Sequence, residues 1–193
     1  MNRRSNCILA CLLGIAFGFS ATLVSLPGLI MEQALSKLTP TESEFNSVIH
    51  FPMVTEHARS VVRPSPDIIY SGCRFDLTQG AVRVTLPSLD LDHYASISFF
   101  DDRTNHFHSV SNHDLDGRMG LISLVRASDL SDHSPTDHQI AAPSDQGLVL
   151  FRRILTGTVT PERANEHRGG FDCSVSQKVL ENAQSMTVKD RPA

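Results

Sequence analysis

Two histidines of this chain, His106 and His108, have the spacing that puts two metal ligands on one face of a β-strand. A zinc centre needs at least three protein ligands, and a third donor would have to come from a loop that folds back, such as Asp114. We therefore predict a polar strand face, no metal site and no cofactor, and keep a metal-binding module as an alternative hypothesis. Six further histidines lie in polar segments and are predicted to be solvated: His50, His57, His93, His133, His138 and His167.

Four residues are candidates for a ligand-binding pocket: Arg63, Asp67, Tyr70 and Asn105. Two prolines between Arg63 and Asp67 hold the backbone extended. One interpretation is a rigid start of a strand in which Arg63 pairs with Asp67; the other is one wall of a pocket. The chain has neither a Gly-x-Ser-x-Gly nucleophile elbow nor a glycine-rich phosphate loop, so we predict no catalytic residue.

The four cysteines fall into two pairs. Cys7 and Cys11 lie in an apolar N-terminal run and are predicted to be packing residues. Cys73 and Cys173 lie in the body of the chain, where a disulfide would close a loop of about 100 residues. We predict this bridge if the body is in an oxidising compartment, with two buried free thiols as the alternative.

The N-terminal run is predicted to anchor the chain in a membrane. Arg3 and Arg4 precede it, and residues 7–31 contain no Asp, Glu, Lys, Arg or His. About 20 apolar residues cross a bilayer core, whereas a cleaved secretory signal has an apolar region of about 7–15 residues. We predict that residues 1–31 are an uncleaved single-pass signal-anchor in the inner membrane, contacting lipid, with the N-terminus cytoplasmic and the body periplasmic.

The rest of the chain is predicted to form one β-rich domain. Residues 32–60 are assigned to a juxtamembrane helix and a linker, 61–186 to the domain and 187–193 to a flexible tail. Alternation of apolar and polar residues, with frequent turn signals, predicts an antiparallel sandwich with jelly-roll-like sheets. Short helices are predicted after Thr160 and over 174–186. The predicted strands span 68–75, 81–87, 94–100, 106–110, 120–126 and 147–155. The last of these is also compatible with a buried helix segment, and the glycines on either side favour a strand.

Composition argues against a nucleic-acid partner. The 193 residues carry a net charge of −4, with 17 basic and 21 acidic side chains. Without residues 1–31, which hold two Arg and no acid, 15 basic and 21 acidic side chains remain, a net charge of −6. An acidic body lacks the basic patch that neutralises phosphates.

Five stretches resemble, in order and spacing, the bacterial family called domain of unknown function 1254. They are VRPSPDIIYS (62–71), FDL (75–77), GAVRVTLP (80–87), YASISFFD (94–101) and TNHF (104–107), and APSDQGLVLFR (142–152) is similar to a later stretch of its short, membrane-anchored members. The family pattern has Gly-Pro where this chain has Gly80-Ala81.

The resemblance implies a β-rich domain of an envelope protein and offers no catalytic residue to carry over. In longer relatives a second, jelly-roll-like domain follows, so a separate envelope protein carrying such a domain is a possible partner. The leading hypothesis is a non-catalytic binding or assembly module. The alternative is an envelope hydrolase with a pocket around Arg63, Asp67, Tyr70 and Asn105.

Overall fold

The computed structural model describes residues 3–38, 45–55, 64–130, 138–155 and 159–176. Its first element is one continuous helix, α1 (Arg3–Leu38), which contains Pro27. Within α1, Asn6–Lys37 has a mean hydropathy of 2.3 and is long enough to cross a membrane. Length and composition fit a membrane span and a signal sequence alike. The residues predicted as a juxtamembrane helix are the last turns of this same helix.

Nine strands, two 3-10 turns and one short helix follow in the described residues. The strands are β1 (Val48–His50), β2 (Ile68–Asp76), β3 (Val82–Leu86), β4 (Ala95–Phe100), β5 (His106–Ser111), β6 (Gly120–Arg126), β7 (His138–Ala142), β8 (Gln146–Ile154) and β9 (Asp172–Val175). The helix is α2 (Pro161–Arg168). The 3-10 turns are Leu77–Gln79 and Ala127–Asp129.

The strands form two sheets, which confirms the predicted mostly-β fold. One sheet has the order β1-β2-β8-β4-β5 and is antiparallel throughout; the other has the order β7-β6-β3-β9. In the second sheet β6 and β7 run parallel, and the other pairs are antiparallel. The six predicted strands are present. The structure adds β1, in the segment assigned to the linker, together with β7 and β9.

The main core lies between the facing surfaces of the two sheets. Strand β8 shows why: its buried residues alternate with half-buried ones, so Val149 and Phe151 face inward. Partners from both sheets meet them, including Phe99 on β4 and Val84 on β3. Burial of these apolar side chains is the main driving force that holds the sheets together.

The C-terminal end matches the predicted helix start and differs beyond it. Thr160 caps α2 by accepting a hydrogen bond from the Arg163 amide at 3.3 Å, and Pro161 is the first helical residue. Ser174 and Val175, assigned by sequence to a second helix, belong to β9 and pair with β3. The rest of that predicted helix from residue 177, and the predicted tail 187–193, lie outside the described residues.

Candidate functional site: a cleft at one open edge of the sandwich

A cleft of about 620 Å³ opens where the edge of one sheet faces the edge of the other. Strand β5 is the last strand of the first sheet, and β7 and β6 are the first two of the second. The cleft is lined by His108, Ser109, Val110, Asp114, Leu115, Met119, Gly120, Leu121, Ile122 and His138. Edge strands with exposed apolar side chains are places where partners bind.

The floor of the cleft is apolar and its rim combines polar and apolar groups. Val110 and Ile122 are buried and belong to the main core. Met119 and Leu121 are 58% and 38% exposed. A concave, mostly apolar surface with a few convergent polar groups is typical of ligand and partner sites.

The turn that closes one end of the cleft is fixed by a buried asparagine. The Asn112 side-chain oxygen accepts a hydrogen bond from the Ala95 amide at 3.1 Å, and its Nδ2 donates to the carbonyl of His93 at 2.6 Å. The Gly117 amide donates to the carbonyl of Asn112 at 2.8 Å, in a backbone conformation with φ of 73° that favours glycine. The turn is therefore tied to the start of β4.

Within this turn, Asp114 and Leu115 occupy defined positions at the cleft. Asp114 accepts hydrogen bonds from the Ser111 hydroxyl at 2.6 Å and from the Ser111 amide at 2.8 Å, and these bonds lower the pKa of its carboxyl. Leu115 lies over Gly120, where a Cβ would come within 2.5 Å of the leucine Cδ1. The missing side chain at Gly120 therefore gives Leu115 its place at the cleft wall.

Two histidines face each other across the mouth of the cleft. The ring centroids of His108 and His138 are 6.1 Å apart. Burial, followed by the charges of His138 and His106, lowers the pKa of the His108 imidazole. His108 is consequently neutral near pH 7, able to donate one hydrogen bond and accept one.

The two histidines with metal-ligand spacing have different surroundings. The pairing of β4 with β5 shifts between Phe99 and Phe100. As a result, the His106 ring lies edge-on to Phe100 with centroids 5.4 Å apart, whereas His108 lies toward His138. In the described parts of the chain, no three His, Cys, Asp or Glu side chains are grouped so that they could hold a metal ion.

Of the four residues suggested by sequence for a pocket, the three that the structure describes do not all come together. Asp67 is exposed, and its carbonyl accepts a hydrogen bond from the Leu155 amide at 2.7 Å, beyond one end of β8. Tyr70 is half-buried on β2, where its hydroxyl accepts a hydrogen bond from the Ser65 amide at 3.3 Å. Arg63 lies outside the described residues.

Asn105 lies near the opposite end of the same sheet. It follows the end of β4 at which Phe100 pairs with Leu148, near the start of β8. Tyr70 pairs with Arg152, near the other end of β8. The Asn105 side-chain amide donates to the Asp101 carboxylate at 2.8 Å, and its backbone amide does the same. Asn105 thus closes the loop between β4 and β5 and does not share a pocket with Asp67 or Tyr70.

The predicted disulfide is confirmed. Cys73 on β2 and Cys173 on β9 are bonded, with Cα atoms 6.4 Å apart, and the bond joins the two sheets through the core. Cys7 and Cys11 are free and exposed on α1.

Sequence reasoning singled out His108 and Asp114, for a different role, and missed three other residues of the cleft. His138 was assigned to a solvated segment, and Met119 and Leu121 carried no motif. The sequence did contain one signal for Leu121. Successive side chains of the strand 120–126 point to opposite faces of the sheet, so Leu121 lies on the face opposite the buried Ile122. The pairing of β7 with β6, which brings in His138, has no local signature.

Comparison with known proteins identifies a family and a fold. A family model described as "Protein of unknown function (DUF1254)" matches residues 45–174. Among curated proteins none matches.

The solved structure of the VPA0106 protein from Vibrio parahaemolyticus is similar at 15% identity and a TM-score of 0.54, covering 80% of this chain and 38% of that one. An uncharacterised protein from Burkholderia cenocepacia is 14% identical, with a TM-score of 0.39, covering 78% of this chain and 46% of that one. This chain thus spans less than half the length of either structure.

Proposed function

Since the chain belongs to the DUF1254 family, we propose that it is a membrane-anchored envelope protein whose β-sandwich binds a partner and does not catalyse a reaction. The cleft at the edge of the sandwich carries this proposal. Its exposed Met119 and Leu121 stand beside the polar rim of His108 and His138, an arrangement suited to recognition.

The N-terminal helix supports the proposed location in the envelope. α1 contains an apolar stretch long enough to span a bilayer, and Arg3 and Arg4 stand at its N-terminal end. Basic residues stay on the cytoplasmic side, so the sandwich faces the periplasm. The disulfide supports this location, because such bonds persist in oxidising compartments and are rare in the cytosol.

The partner is a second envelope protein that carries a jelly-roll-like domain. The chain covers 38% of the similar Vibrio parahaemolyticus structure, so the matched region is less than half of that protein. In this proposal the jelly-roll-like domain of the partner docks at the cleft. The acidic body, with a net charge of −6, makes nucleic acid an unsuitable partner.

Membrane topology is tested with alkaline phosphatase fused to the C-terminus, because this enzyme is active only after export. We expect high phosphatase activity in cells and a fusion that stays in the membrane fraction after alkaline extraction. An inactive fusion would place the sandwich in the cytosol and refute the envelope role. An active fusion released into the soluble fraction would show that the N-terminal segment is cleaved.

Partner binding is tested by co-purification of the full chain from detergent-solubilised membranes. The variant Met119→Glu puts a charge on the apolar rim and should lower recovery of a stoichiometric envelope protein at least about tenfold. Leu130→Glu is the matched control, since Leu130 is also exposed but lies beyond the other end of β6, outside the cleft. Equal recovery with both variants, or no partner with the wild-type chain, would refute the proposal.

A further inference from the structure

A fully buried arginine lies at the end of the sandwich beneath α2. Arg153 is on the inward face of β8, in line with Val149 and Phe151, and its relative exposure is 0%. Its neighbours across the sheet are Ile69 on β2 and Ala95 on β4. A charged side chain therefore occupies a position where the strand pattern calls for an apolar one.

The Arg153 guanidinium has unused hydrogen-bond donors. Within the described residues, Nε, Nη1 and Nη2 all lack a hydrogen-bond partner. An arginine stays protonated in proteins, and burial of an unpaired charge is strongly unfavourable. Buried charges in folded proteins are almost always matched by an opposite charge. The chain thus holds, in a dry site, a cation that needs an anion.

A second buried group without a partner lies nearby on α2. His167 Nδ1 is buried and has no hydrogen-bond partner in the part of the chain that the structure describes. Burial, followed by the charge of Arg153, lowers the pKa of the His167 imidazole. The polar atoms of β8 and α2 therefore converge on one region.

Charges of both signs surround this region, and on Arg153 the effect of Asp90 is larger than that of Arg163. Arg163 adds positive potential to both Arg153 and His167, while Asp90 acts on Arg153 and Glu166 on His167 with the opposite sign. Neither acid makes an ion pair with Arg153. The guanidinium donors therefore stay without a hydrogen-bond partner even though the charge of Asp90 acts on Arg153.

From these observations we propose that Arg153 and His167 form a binding site for a small carboxylate with an apolar tail. A carboxylate accepts two parallel hydrogen bonds from the guanidinium fork and carries the single negative charge that one arginine neutralises. The tail contacts the small apolar cluster of Ile69, Val159 and Ala164.

Helix α2 covers the site and is suited to local opening. α2 has eight residues, fewer than an isolated helix needs for stability, and Ala164 is its one fully buried residue. Met53 and Leu155 complete the cluster from partly buried positions. Segments with few buried contacts open at a low free-energy cost, which gives a ligand access to Arg153.

The test is calorimetric titration of the full chain in a non-ionic detergent with acetate, butanoate and inorganic phosphate at pH 7. We expect butanoate to bind more tightly than acetate, phosphate to bind weakest, and Tm to rise with carboxylate concentration. Arg153→Met should weaken butanoate binding at least about tenfold. The matched control is Arg152→Met, because Arg152 lies on the opposite face of β8 and donates to the Ser98 hydroxyl.

The outcomes separate the proposal from its alternatives. In buffer without carboxylate, Arg153→Met should melt no earlier than the wild type, since it removes an unpaired buried charge. If this variant fails to fold, Arg153→Lys keeps the charge, loses the fork and should still weaken butanoate binding. Absence of binding to the wild type, equal binding by the Arg153 and Arg152 variants, or tighter binding of phosphate would each overturn the carboxylate site.

Discussion

Loss of the Cys73–Cys173 disulfide should strongly destabilise the sandwich. The bond connects β2 of one sheet to β9 of the other, and β9 is an edge strand that pairs only with β3 among the described strands. Reduction leaves the packing of the main core in place but frees the two ends of the domain in the unfolded chain. The effect therefore falls chiefly on the unfolded state.

The magnitude follows from the separation of the two cysteines. They are 100 residues apart, and the chain-entropy relation for such a loop gives about 4.7 kcal/mol at 25 °C. For a domain of this size, a loss of that order corresponds to a fall in Tm of about 15 °C.

The assay is thermal unfolding of the full chain in detergent, followed by circular dichroism with and without a phosphine reductant. The double variant Cys73→Ala/Cys173→Ala should melt close to the reduced wild type. The variant Cys7→Ser/Cys11→Ser is the matched control, because both of these cysteines are free. It should melt like the oxidised wild type and still respond to the reductant.

Two results would refute this reasoning. A difference in unfolding free energy below about 1 kcal/mol would show that the unfolded chain is not entropically constrained by the bond. Alkylation of protein taken directly from cells should modify two of the four cysteines before reduction and all four afterwards. Four modified cysteines before reduction would show that the bond does not form in the cell.

Two further predictions concern packing and pH. Gly147→Ala should destabilise the sandwich by about 3 kcal/mol in urea unfolding, because a Cβ there meets the Phe100 carbonyl oxygen and the Phe75 ring; wild-type stability would contradict this packing. Burial, together with His138, holds the pKa of His108 below its ordinary value of 6.5, so the unfolded chain binds more protons as the pH falls below that value. The free energy of unfolding should therefore decrease from pH 7 to pH 5, and His108→Asn should make that decrease smaller; an unchanged slope would show that His108 does not carry this pH dependence.

The fold was largely readable from the sequence, and particular residues show why. In 82–86 apolar and polar residues alternate with the period of a strand, and the structure buries the apolar set. The run 147–154 lacks this alternation, and its prediction as a strand rested on the glycines that flank it. Thr160 followed by Pro161 predicted the start of α2, because capping and proline chemistry act within a few residues. Such signals depend only on nearby residues, so they can be read from the sequence without knowing the partner strand.

The candidate site was not readable in the same way. The sequence hypothesis grouped Arg63, Asp67 and Tyr70, from one dense segment of the chain, with Asn105. The register of β2, β8 and β4 places Tyr70 and Asn105 near opposite ends of one sheet. Conversely, His108 and His138 are 30 positions apart in sequence and meet only because β7 pairs with β6 beside the edge strand β5. The identity of neighbours across a sheet depends on long-range pairing, which single-strand patterns do not encode.

The sequence by itself determined the apolar N-terminal segment, the alternating strands and the cysteines available for a bond, because each depends on residue type and short-range spacing. Only the tertiary structure decided that Cys73 and Cys173 are within bonding distance, that the edges of two sheets leave a cleft, and that Arg153 is enclosed without a counter-ion. The physical reason is that contact, burial and electrostatic surroundings are properties of segments brought together from distant parts of the chain, whereas propensity and periodicity act within one segment.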